Sequence, residues 1–225
     1  VYKAPGVQDI IKGKPIKALE ESKNIVIVGT GDGLYVGKIN GALESLVKVE
    51  ENNEIAQAAK LRLINPTSYE ILSIAKGASG RIYASVNYLG AEGRIGGILT
   101  TTITELEKNP AKAWKIIDGS IEQSINKTVL KLATSKDPIS GKDILYLGTA
   151  GIEPEAYDFI YQVVYEETAD SQRWVGKSVA PFIGAGQASI HASFASDPTD
   201  PNSVFAGGNY PLTAEGSRPY GTYTG

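Results

Sequence analysis

The stretch DPTDPNSVFAGGNY, Asp197 to Tyr210, places two Asp-Pro turns directly before a short apolar run that ends on paired glycines. An earlier piece, SKDPISGKDILYLGTAG from Ser135 to Gly151, has nearly the same order of parts, which marks both as copies of one unit. Proline fixes φ and lacks an N–H, so each Asp-Pro pair closes a strand, and the Asp side chain can bond nearby backbone amides and hold the turn. The apolar run reads as a strand buried between neighbours. Its glycines read as turn residues that allow a positive φ on the way into the next strand.

Working outward, the same order recurs in NIVIVGTGDGLYVGKI, GRIYASVNYLGAEGRIGGILTTT, DILYLGTAGIEPEAYDFIYQVVYEE and NSVFAGGNYPLTAEGSRPYGTYTG, each of which reads strand, turn, strand. The anchors Ile27, Tyr83, Tyr146 and Phe205 follow one another at about sixty residues. Alternating segments before each anchor (IKALEES, ILSIAK, VLKLATS and HASFASD) add a third strand. AKLRLI, AWKIID with Trp114 and RWVGKS with Trp174 add a fourth. ITELEKNPAKAW reads as a connection of one helical turn or a long loop. Four short strands at this period, with little helix, predict an all-β chain: a partial β-propeller of about three four-stranded blades plus the start of a fourth. The blades are expected at 16–66, 69–118, 127–177 and, truncated, 189–225, in a single incomplete domain spanning 1–225. Each anchor is expected to sit wedged between adjacent radial sheets. A β-sandwich is the runner-up, should the repeats fail to superpose.

The 225 residues are 42% hydrophobic and 21% charged, enough apolar material for a sizeable core, and the net charge of -3 comes without a basic run that would suit nucleic acid. Without cysteine, disulfides, thiolate metal sites and cysteine nucleophiles are excluded. No apolar stretch approaches the roughly 18 residues of a membrane-spanning helix. A chain that starts at Val1 and stops at Gly225 inside an apparent hairpin is expected to belong to a longer one. Asn126 opens a glycosylation sequon, INKT.

These units resemble the propeller repeats of the sialidase-like, BNR-repeat and sortilin-type superfamily, in which a DPxxPNxVYAGT segment feeds a hairpin and a Trp-containing outer strand. Asp197, Pro198, Asp200, Pro201, Asn202, Val204, Phe205, Gly207 and Gly208 carry the resemblance, with Asp137, Pro138, Ile144, Tyr146, Gly148 and Thr149 in the preceding unit. It implies the fold. The Asp box of that superfamily is not intact, since TGDGLY from Thr30 to Tyr35 brings Gly33 one residue early, and Arg62, Arg81, Arg94, Arg173 and Arg218 form no assignable triad. Sialidase activity is therefore not expected.

Insertions of unequal length between second and third strands collect on one face, the usual mark of a binding surface in repeat proteins. The ligand-binding candidates there are Tyr88, Glu92, Arg94, Glu155, Tyr157, Asn209, Tyr210 and Arg218, because tyrosines beside charged groups suit a sugar or an exposed segment of a partner protein. Glu153, Asp158 and His191 are the acid–base candidates, with Asp32 and Asp118 as further carboxylates for a glycoside-hydrolase pair. No metal site or cofactor is expected: Asp32 and the DPTDPN turn offer oxygens to calcium but lack the spacing of a calcium loop. The function expected is a non-catalytic extracellular or cell-surface binding module for a carbohydrate or protein. The alternative is a glycoside hydrolase.

Overall fold

The computed structural model describes residues 10–49, 66–90, 93–117, 128–150, 156–167, 172–180, 184–185, 193–197, 200, 203–207 and 222–224. The strands are β1 (Ile16–Ser22), β2 (Ile25–Thr30), β3 (Gly33–Ile39), β4 (Leu43–Lys48), β5 (Pro66–Glu70), β6 (Ile74–Lys76), β7 (Arg81–Gly90), β8 (Gly93–Thr102) and β9 (Lys115–Ile116). They continue as β10 (Thr128–Lys136), β11 (Asp143–Ala150), β12 (Ala156–Glu167), β13 (Gln172–Ala180), β14 (Gly184–Ala185), β15 (Ser193–Ser196), β16 (Ser203–Gly207) and β17 (Thr222–Thr224). A short helix, α1 (Ile103–Lys108), joins β8 to β9.

Four antiparallel meanders result, ordered β1-β2-β3-β4, β5-β7-β8-β9 with β6 also on β7, β10-β11-β12-β13 with β14 on β12, and β15-β16-β17. The first strands stand beside one another in sequence order, with β1 against β6, β6 against β10 and β10 against β15. Consecutive meanders joined through their first strands are the blades of a β-propeller. The fold is all-β and the propeller is partial.

Alternation along each second strand explains the packing, because successive side chains leave a strand on opposite sides. Ile25 and Ile27 of the first sheet meet Ile71, Ile82, Ala84 and Val86 of the second in one buried cluster. Tyr83, of opposite parity to Ile82 and Ala84, meets Leu132, Leu145 and Leu147 of the third. One strand thus supplies two interfaces. Ile103 and Leu106 of α1 add to the first cluster, and the helix start is held by a capping box between Thr102 and Glu105.

Hydrogen bonds repeat with the blades. Register aligns Lys76, Thr134 and Ser196 as the same position of successive first strands, each one residue past the partner of its anchor. The Thr134 hydroxyl donates to the Lys76 carbonyl at 2.8 Å, and the Ser196 hydroxyl donates to the Thr134 carbonyl at 2.5 Å. Asp143, buried at the start of β11, accepts from the Ser79 backbone N–H at 2.9 Å, the Ser79 hydroxyl, and the Tyr83 hydroxyl at 2.9 Å. A Cβ on Gly77 would collide with that carboxylate.

Several expectations need correction. The fourth strand of the first sheet is β4, not AKLRLI, whose residues lie outside the described ones; β4 follows β3 after a three-residue turn, the shortest route to the next ladder. VNYLGAEGRIGG, one of the insertions expected between second and third strands, is not a long loop, since β7 and β8 pair continuously from Arg81↔Thr102 to Gly90↔Gly93. Gly33 has the expected positive φ of 137°, but Gly29 serves a different need: a Cβ there would lie 2.6 Å from Ile71 Cγ2, so the glycine lets the second sheet approach. Ser85 stands at the position of Gly29 and Gly148, two residues past its anchor, and its hydroxyl accepts the Leu72 and Ser73 N–H groups where the β5–β6 strand breaks. Ile27, Tyr83 and Tyr146 are at most 1% exposed, whereas Phe205 is 47% exposed, because no sheet among the described residues covers the far side of β16.

Asp143→Ala should cost about 2–3 kcal/mol in urea denaturation by stranding the buried Tyr83 hydroxyl and releasing the exposed Ser79 turn that the carboxylate holds. Adding Tyr83→Phe to that variant should cost less than Tyr83→Phe does alone. Strict additivity of the two changes would disprove the staple.

Candidate functional site

In each meander the turn between second and third strands lies on the same face as the connection to the next blade, because antiparallel strands reverse direction at every step. The β2–β3 turn, the start of β1 and the end of β4 therefore share one face with the start of β5 and the end of β7. On that face the structure brings together Lys14, Thr30, Asp32, Tyr35, Lys48, Tyr69 and Tyr88.

The β2–β3 turn is tight, with Thr30 paired to Gly33 across Gly31 and Asp32. The buried Thr30 hydroxyl lies 2.7 Å from Asp32 Oδ1 and 3.0 Å from the Gly33 carbonyl, and it accepts the Asp32 N–H at 3.2 Å. This fixes the carboxylate. Asp32 Oδ1 also accepts the Tyr35 hydroxyl at 3.1 Å, while the Lys14 ammonium donates to Asp32 Oδ2 and, at 2.7 Å, to the Tyr35 oxygen. Lys14 lies 5.2 Å from the Tyr35 ring centroid because it bonds the hydroxyl, so this is an edge contact and not stacking.

Burial opposes ionisation of Asp32, but hydrogen bonds from Lys14, Thr30 and Tyr35 outweigh it and hold the carboxyl below its ordinary range. The same bonds, from Asp32 first and Tyr35 second, push Lys14 up. Burial is the main cause raising Tyr35. Asp32 is accordingly a fixed anion, suited to accepting hydrogen bonds and poorly suited to delivering a proton.

Beside this network, across the junction of the first two sheets, the Tyr69 and Tyr88 rings lie 5.8 Å apart at a 35° tilt. Tyr69 directs its hydroxyl to the Val49 carbonyl at 3.4 Å, and a Cβ on Gly33 would lie 2.6 Å from that hydroxyl oxygen. Glycine at 33 serves the turn and leaves room for the ring. Tyr88 is buried in the core on β7, so it forms the floor beneath Tyr69 and not a loop contact.

Of the other sequence candidates, Arg94 stands on β8 opposite Leu89, and Tyr157 on β12 opposite Ala150. Asp158 is the extra residue of a β-bulge, since Thr149 pairs with Phe159 and Ala150 with Tyr157. Glu92, Asp118, Glu153, Glu155, His191, Asn209, Tyr210 and Arg218 lie outside the described residues. Both oxygens offered to calcium by Asp32 already accept protein donors, and Asp197 Oδ1 accepts the Asp200 N–H at 3.2 Å. Among the described residues no three of His, Cys, Asp and Glu gather as metal ligands. Sequence reasoning missed Lys14, Lys48 and Tyr69, because each meets the site through a different strand end.

The sequence matches no protein-family model and no curated protein. Solved structures similar to it include the Bacillus subtilis arabinanase Arb43A, with TM-score 0.50 and 11% identity over 84% of this chain and 63% of that one. Drosophila semaphorin 2a is similar with TM-score 0.53 and 10% identity over 89% of this chain and 43% of that one. Both are propeller proteins, and the likeness is one of fold. The chain spans less than two thirds of the length of either.

Lys14→Met should move the Asp32 carboxyl titration upward in carbon-13 NMR. The sign is fixed by linkage: a depressed carboxyl stabilises the fold above its unfolded pKa and loses that stabilisation as pH falls through its folded value. Lys14, being raised, contributes below its ordinary value and stops contributing as pH rises through its folded one. An unchanged Asp32 titration in the variant would remove the pairing from this account.

Proposed function

We propose that this chain is a non-catalytic propeller module that binds a carbohydrate through its loop-rich face, outside the cell or at its surface and as part of a longer protein. The observation that carries this reading is the Lys14–Asp32–Tyr35 network set beside Tyr69. Fixed donors and acceptors next to an aromatic face are what a polyhydroxylated ring needs, since its C–H face packs on an aromatic and its hydroxyls require oriented partners. The candidates Glu92, Arg94, Glu155, Tyr157, Asn209, Tyr210 and Arg218 extend the surface in this reading. Asp32, held ionised, favours binding over general-acid catalysis.

A second reading, a glycoside hydrolase, is favoured by one observation: Asp158 occupies a β-bulge near the loop-rich end of β12, a device that re-aims side chains next to active sites. Glu153 would be its partner, and His191 an auxiliary acid or base.

A glycan array combined with a hydrolysis screen separates the two. Binding without turnover is expected, with Asp32→Asn weakening it roughly ten-fold, as loss of a charged hydrogen-bond acceptor does. Turnover abolished by Glu153→Gln or Asp158→Asn would replace the first reading by the second.

A further inference from the structure

We propose that the loop-rich face carries an anion subsite centred on Lys48, which takes a carboxylate or sulfate group of the glycan. This deepens the carbohydrate reading and rests on it. Lys48 ends β4 directly opposite Tyr35 in the ladder, and it is exposed. Its ammonium lies 5.9 Å from the Tyr35 ring centroid in the first sheet and 5.7 Å from the Tyr69 centroid in the second. Both distances lie near the outer limit of cation–π attraction, about 6 Å, so the rings orient the charge without neutralising it.

The stem lies against the Gly33 turn. A Cβ at position 33 would stand 3.0 Å from Lys48 Cε, so the lysine lies along the glycine turn that also makes room for Tyr69. Contact with the turn and with two rings narrows the rotamers open to Lys48, which lowers the entropy lost when an anion is captured. The nearby carboxylate is already engaged: Asp32 accepts from Lys14, Thr30 and Tyr35. Among the described residues no carboxylate forms an ion pair with Lys48.

The ligand class that fits is an acidic glycan: a sugar ring against Tyr69, hydroxyls toward Lys14 and Asp32, and an oxyanion on Lys48. A purely structural role is the competing account, with Lys48 clamping the first two sheets through the tyrosine rings. Charge and stem must therefore be separated, which Lys48→Met does by keeping the stem and Lys48→Arg by restoring the charge.

Titration calorimetry on the 225-residue chain would compare an oligouronate, a sulfated oligosaccharide and a neutral oligosaccharide of equal length, with inorganic sulfate as a minimal probe. An acidic glycan should bind roughly five-fold tighter than the neutral one, the size of one half-exposed ion pair, and the advantage should fall with added salt. Lys48→Met should abolish the preference without changing the melting temperature, Lys48→Arg should restore it, and Lys17→Met should leave it intact. The better of the two acidic sugars identifies the group. Equal affinity for acidic and neutral glycans, or an unchanged preference in Lys48→Met, overturns the subsite while leaving the carbohydrate reading in place. Lys48-dependent binding of sulfate with no glycan bound supports the subsite and removes the carbohydrate reading. Absence of binding to every probe overturns both.

Discussion

Packing between blades rests on the alternation of each second strand, which sends one set of side chains to the preceding sheet and the other to the following one. Val204 and Phe205 are adjacent on β16, yet the first is 1% exposed and faces a covered side. Such a strand cannot be half-polar, because neither side meets water once both neighbours are present. This is why IVIV, DILYL and NSVF contain unbroken apolar runs.

Close approach between sheets imposes further constraints that side-chain size alone satisfies. Gly29 admits Ile71, and Gly77 admits the Asp143 carboxylate. Where polar groups are trapped, a hydroxyl satisfies them, as Ser85 does for the broken β5–β6 strand, and nearer the surface Thr134 and Ser196 bond carbonyls of the preceding first strand. Unpaired backbone groups at the depth of Ser85 are costly, so this small residue belongs to the architecture as much as the aliphatic ones do.

The candidate site grows from the same geometry. Strand ends from two sheets converge on one face, and there the apolar requirement lapses because the interface stops. Tyr69 and Tyr88 mark the transition, with rings on the core and, for Tyr69, a hydroxyl on a backbone carbonyl at the rim. Lys14 and Asp32 lie just beyond it, partly exposed, where an ion pair adds little to stability.

Much of the fold was legible in the chain itself. Asp-Pro punctuation, the apolar anchors and the sixty-residue period define the repeat, because turn chemistry and period-2 alternation act over a few residues. The order of the first three strands in each meander followed from that local information. Where it ran out, the reasons differed: β4 and the long β7–β8 hairpin are local pairings whose glycine-containing sequence carries little strand signal, whereas the exposure of Phe205 depends on what lies across an interface. The site shows the same division. Asp32 stood out in TGDGLY, but Lys14, Lys48 and Tyr69 carry no motif, and Tyr88 changed from loop residue to core. The sequence by itself determined a repeating antiparallel unit through local backbone preference. Only the tertiary structure decided which strand ends meet and which charge stands over which ring, since such neighbours are chosen by sheet-to-sheet packing.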